Sequence, residues 1–201
     1  MKASFMQRLL AYLIDIFIVS FIFSIFSVFI PNNEISEYNK KLSDAESKMI
    51  ETMQSGNSDN YKEMLDEVVS IQYEMSRASI LRDSVLFVIT FGYFVILQFC
   101  LKGKTIGKMI LKIKVVQKNN KEPSMGAILL RTFIVQGLLS SFIAIVTILF
   151  IDKNFYTYFN GIISVASSIF IIVSALMILY RKDKKGLHDM MAGTSVVSYK
   201  E

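Results

Sequence analysis

LLAYLIDIFIVSFIFSIFSVFI, residues Leu9–Ile30, is an apolar run broken by one carboxylate, Asp15, and by Ser20, Ser24 and Ser27. A helix that crosses hydrocarbon needs about 20 mostly apolar residues, and this run supplies them. An ionised carboxylate near a bilayer centre costs roughly 2.5 to 3.5 kcal/mol on insertion scales, so Asp15 must face protein or trapped water. Arg8 stands at the mouth of the run. Seven residues apart, Arg8 and Asp15 are about 20° out of register on a straight helix and share one face, two turns apart. The run ends in Pro31-Asn32-Asn33 with no small-residue cleavage site. Its length also exceeds the roughly 7 to 15 residues of a secretory apolar region. It reads as a retained first helix.

Working outward, three more stretches have the same character: Ser84 to Leu101, Thr132 to Ile151, and about Phe159 to Tyr180. Apolar residues make up 53% of the 201-residue chain and the mean hydropathy is +0.46, which places it among membrane proteins. The expected fold is an all-α integral membrane protein of four transmembrane helices, a single domain over residues 1–201. The connector from Lys102 to Gly126 carries seven lysines against Glu122 alone, whereas residues 31–79 carry five basic and ten acidic side chains. Basic residues concentrate on cytoplasmic loops, so both termini and the 102–126 loop are expected inside, at a bacterial cytoplasmic membrane. The net charge of +5 is thus an orientation signal and gives no reason to invoke nucleic acid. The lysines are expected to serve orientation alone, with contact to anionic lipid as the alternative.

Residues 31–79 form an extracytoplasmic insert between the first two spans. Leu42, Ala45, Met49 and Met53 recur at helical spacing, as do Tyr61, Met64 or Leu65, Val68, Ile71 and Met75. Two amphipathic helices, about 34–54 and 60–80, are expected to form an antiparallel hairpin around a turn at Ser55–Asn60, with Asn60 and Glu63 as a capping box. The second is placed so that it can run on into the second span. The methionines either fill the seam or offer an adaptable partner surface over residues 35–78.

Other polar residues are few enough to weigh singly. Arg131, at the mouth of the third span, is explained by snorkelling alone. Gly103-Lys104-Thr105-Ile106-Gly107-Lys108 is not a phosphate-binding loop: its glycine spacing is wrong and Met109 follows where Ser or Thr is needed. Residues 109–116 read as an amphipathic segment at the inner interface. Thr194 to Tyr199 reads as a short strand, placed beside Ile113–Val116. With one cysteine, Cys100, expected as a small apolar filler, and one histidine, His188, expected in a structural role, the chain offers no metal site of standard spacing. It also offers no nucleophile–base pair. No cofactor and no enzymatic activity are expected.

These residues together resemble the RDD family of small bacterial multi-pass membrane proteins, named for one arginine and two aspartates. Arg8 and Asp15 match the first two, and Asp189, in Leu187-His188-Asp189-Met190-Met191-Ala192-Gly193-Thr194, matches the third. The Gly103–Lys108 loop, Ile113-x-Val115-Val116 and Leu130-Arg131 are also similar to the family's pattern. The resemblance covers residues 1–30 and roughly 80–197, and the insert at 31–79 departs from it. It implies transport, with sodium- or potassium-for-proton antiport among the family's activities. On that reading Asp15 is the exchange carboxylate, Arg8 or Arg131 tunes it, Asp189 helps gate the inner mouth, and a homodimer supplies missing walls. The competing expectation is a regulator, inhibitor or immunity-like membrane partner. Arg8, Asp15 and Asp189 are then a structural staple, and residues 35–78 or the cytoplasmic segments dock another protein.

Overall fold

The computed structural model describes residues 1–31, 33–54 and 61–199. Helix α1, Phe5–Ser27, starts from a capping box in which Ser4 and Gln7 satisfy each other's backbone N–H groups. Its buried residues, Ala11, Asp15 and Val19, fall four apart, so one narrow stripe faces the protein. Its large apolar side chains turn outward: Phe17 is 73% and Phe21 61% accessible. The longer α8, Lys153–Tyr180, follows the same rule, with Ile162 at 69%. Apolar outside and polar inside is the arrangement that hydrocarbon as solvent demands.

Helix α2, Asn33–Gln54, packs along α3, Tyr61–Phe91, and Ile35 and Ala45 of α2 and Val68 and Val69 of α3 are buried. The turn and the Asn60 cap expected at 55–60 lie outside the described residues. Met53, expected in the seam, is 52% exposed. Helix α3 does run on into the span: it continues through a π-helical turn, Gly92–Leu97, into α4, Gln98–Cys100, for 40 residues in all. At 1.5 Å per residue that is about 60 Å, twice a bilayer's hydrocarbon thickness. The charged half up to Asp83 therefore stands clear of the membrane. Tyr73 meets Tyr156 edge-on at 5.5 Å and Lys153 donates to Ser70 at 2.9 Å, which ties that projecting half to the start of α8.

The third span departs from expectation. It is two helices, α6, Met125–Val135, and α7, Leu138–Phe150, bent by 74° at Gln136-Gly137. Gly137 sits at φ +65°, a left-handed conformation that glycine adopts without steric cost. Hydropathy sees a continuous apolar run here, whereas the backbone direction is set by that one residue. Among the described residues, three helices are long and apolar enough to cross a membrane, or four if the bent pair counts as one span.

Nor is the fold wholly α. After α5, Ile106–Ile110, strand β1, Ile113–Val116, pairs antiparallel with β2, Ser195–Ser198, in the register Ile113 to Ser198. The placement of the two strands side by side matches expectation. Lys2 bridges to Val197 and the Ala3 amide donates to the Val196 carbonyl at 3.0 Å. Ala3, Ala11, Ile113, Val115 and Val196 form one dry cluster, so the N-terminus, the 102–126 loop and the C-terminal segment close into a single cap over one end of the bundle. A short helix α9, Leu187–Met191, completes this sheet end. Cys100, expected as a filler, is exposed.

Candidate functional site

Arg8, Asp15 and Asp189 are brought to one end of the molecule, but not with the partners the sequence suggests. Asp189 is fully buried. Its Oδ2 accepts from Arg8 at 2.7 Å and from the Gly186 amide at 3.3 Å. Its Oδ1 accepts from Arg131, with Thr194 at 3.4 Å and His188 Nε2 at 3.5 Å. Burial pushes the Asp189 carboxyl up, yet the charges of Arg131 and Arg8 outweigh it and hold the acid at about 2. Arg131 therefore does not snorkel, and neither arginine bonds to Asp15. Removing a partner from such a cluster strands a buried charge, which is strongly destabilising.

His188 packs into the same place. Its Nδ1 lies 2.6 Å from the Ser174 hydroxyl. The carboxylate on the Nε2 side favours Nε2–H, leaving Nδ1 to accept from Ser174. Burial, then the charge of Arg131, pull the ring down to about 3, so it is neutral at physiological pH.

Asp15, 1% exposed, is held by neutral donors instead. Tyr93 donates to Oδ1 at 2.7 Å, the Gly107 amide to Oδ1 at 2.8 Å and Thr105 to Oδ2 at 2.5 Å. Each comes from a local backbone device. Tyr93 lies in the π-helical turn, whose extra residue re-aims side chains and which recurs at functional sites. Gly107 lets α5 press against α1: a Cβ there would stand 2.2 Å from the Ala11 carbonyl and 2.8 Å from Asp15 Oδ1. Gly103, at φ +87°, turns the chain where a Cβ would meet the Val115 carbonyl at 2.4 Å. The glycine-rich loop thus cradles a carboxylate.

A cavity of 240 Å³ opens beside these groups at the sheet end, lined among others by Arg8, Asp15, Gln98, Lys108, Arg131 and His188. Lys108, counted from sequence only among the orientation-setting loop lysines, donates to Gln98 Oε1 at 3.2 Å. Burial first, then the charge of Arg131, lower its amine from 10.5 to about 7. Gln98 is 2% exposed and its Nε2 has no partner. Toward the other end a second cavity of 460 Å³ is lined among others by Ser76, Asp83 and Tyr156. On α1, residues 5–15 line the first cavity and 16–20 the second. Phe94 and Gln136 line both. The wall between them therefore falls at the π-helical turn of one span and the break of another. There the Thr132 hydroxyl donates to the Phe94 carbonyl at 3.2 Å and couples the two.

The model of the RDD family matches residues 2–193. The chain belongs to the RDD family. It is a membrane protein, on that match and on its apolar helices. No curated protein and no solved structure gives a match. In this RDD protein the arginine and both aspartates expected from sequence lie at the sheet end, together with Arg131. Tyr93, Thr105, Gly107 and Lys108 were not foreseen as site residues. The Gly-x-x-x-Gly spacing of Gly103 and Gly107, too open for phosphate, was the available signal of close backbone approach.

Proposed function

We propose that this RDD protein exchanges a small monovalent cation for a proton across the bacterial cytoplasmic membrane, with its termini and the sheet end on the cytoplasmic side. The observation that carries the reading is the pair of cavities meeting at Phe94 and Gln136, with the Asp15 carboxylate on the wall of the inner one. A buried carboxylate held by two hydroxyl groups offers oxygen ligands of the kind a hard cation takes. The outer cavity carries one acid, Asp83, so an approaching cation meets favourable charge on that side. The break at Gly137 and the π-helical turn supply the deformable backbone that discontinuous helices give to transporters. Asp189, fixed between two arginines, locks the inner cap.

Asp15→Asn is the test, because it is built to fold. The new carbonyl keeps the bonds from Tyr93 and Gly107, and the new amide donates to Thr105, whose hydroxyl rotates to accept. In proteoliposomes scanned with sodium, potassium and lithium, wild type is expected to drive proton counterflow and the variant to lose it. A folded wild type that moves none of the three ends the proposal.

A second reading has its own observation: Ile50 and Met53 on α2 are each 52% exposed on the insert, expected outside the membrane. Deleting residues 35–78 separates the readings: a transporter keeps flux through its core, whereas a non-transporting protein that docks a partner through this surface loses its cellular phenotype.

A further inference from the structure

We infer that the proton exchanged at this site is carried by Lys108, and that Gln98 serves the Lys108 amine in both of its protonation states. The inference rests on the exchange reading above and names its proton carrier.

The position of Lys108 separates it from its neighbours. Lys102 pairs with exposed Glu122, and Lys104 and Lys114 lie over the Tyr199 ring. Lys108 turns its amine inward and finds an uncharged acceptor, the Gln98 carbonyl. The groups that line the cavity around it are Arg8 and Asp15 from α1, Arg131 from α6 and His188 from α9, with Asp189 behind the arginines. Two arginines exceed Asp189 by one charge, and Asp15 offsets that excess. The cavity is therefore neutral when Lys108 is an amine and His188 an uncharged ring. It gains one positive charge when Lys108 is protonated, and one when a monovalent cation settles at Asp15. Holding both would place two excess charges inside 240 Å³, where low polarisability makes like charges costly. Cation and proton exclude one another, which is the condition for exchange. The lowered proton affinity of the buried amine, about 7, puts the swap within physiological pH.

Gln98 fits this role chemically. An ammonium needs acceptors, and Gln98 Oε1 is one. A neutral amine presents a lone pair, and the unpartnered Gln98 Nε2 becomes its donor on rotation of the amide. The proton balance is simple. Lys108 –NH₃⁺ loses H⁺ to water in the inner cavity as the cation arrives at Asp15, and it regains H⁺ when the cation leaves. No covalent bond other than N–H breaks or forms.

The experiment uses the full chain in proteoliposomes, with a trapped pH dye and radiolabelled sodium, potassium analogue or lithium flux read in parallel. Lys108→Gln is expected to keep cation uptake but lose the accompanying proton movement, and its uptake is expected to become sensitive to an imposed membrane potential. Lys108→Arg, which holds its proton permanently, is expected to lose exchange. Proton counterflow at the wild-type ratio in Lys108→Gln would overturn this inference and leave the exchange reading standing. A wild type that moves no cation would take both down. Should Lys108→Gln not fold, NMR titration of isotope-labelled lysines in wild type, assigned against Lys108→Arg, decides the matter. A resonance titrating near 7 supports the inference, and one near the ordinary 10.5 overturns it.

Discussion

Asp15 and Asp189 are both fully enclosed carboxylates at the same end of the molecule, yet they are held by opposite means. Asp189 is clamped by two guanidinium groups and sits among segments distant in sequence, 181 residues from Arg8 and 58 from Arg131. Asp15 is held by a phenol, a hydroxyl and a backbone amide, none of them charged. The first arrangement spends its negative charge entirely on neighbouring cations and is suited to fastening the termini to the bundle. The second accepts hydrogen bonds from neutral donors, beside a cavity. The contrast teaches that an aspartate's role here follows from what donates to it, not from how deeply it is buried.

Asp189→Asn is the strongest way to break this comparison. Two arginines lose their counter-charge together, and breaking a buried ion pair costs about 3 to 5 kcal/mol. A large loss of thermal stability in detergent is expected, whereas Asp15→Asn, with every hydrogen bond replaceable, should stay close to wild type. Equal losses in the two variants would show that burial alone matters. Gly107→Ala comes next. Its methyl group would meet the Ala11 carbonyl and Asp15 at distances no real contact allows, and overpacking of this kind costs about 1 to 3 kcal/mol. Its melting temperature should fall below that of Gly126→Ala, where nothing lies within 4 Å of the added carbon. Tyr93→Phe should cost less, about 1.5 kcal/mol for one hydrogen bond to a charged group, measured in the same assay.

Much of this was legible from sequence, for identifiable reasons. The shared face of Arg8 and Asp15 follows from helical geometry, and α1 bears it out. The continuation of α3 and the pairing of residues 113–116 with the C-terminal strand follow from local patterning. Partner choice did not follow, because Asp189 reaches Arg8 only once the strands have closed the cap. The break at Gly137 was hidden by a hydropathy signal that averages over one glycine. Lys108 was hidden among seven lysines of the same loop, since charge counting gives orientation but not the direction in which a single amine points.

The smallest expected effect sharpens the comparison by pH. Asp189, held at about 2 against an ordinary 3.8, contributes stability that is complete above that ordinary value and is lost as pH falls toward 2. His188, at about 3 against 6.5, adds a loss as pH falls through that interval, because the unfolded ring takes up a proton that the folded one refuses. Neither contributes a slope above neutrality. Lys108 does: with the folded amine at about 7 and the ordinary value at 10.5, the unfolded chain binds more protons between them, so stability rises with pH across that window and is flat below it. Melting temperatures measured from about pH 7 to 10 should therefore climb in wild type and in Asp15→Asn, and stay level in Lys108→Met, which keeps the volume and removes the amine. A climb that survives in Lys108→Met would assign the slope to another group and place the Lys108 amine in water.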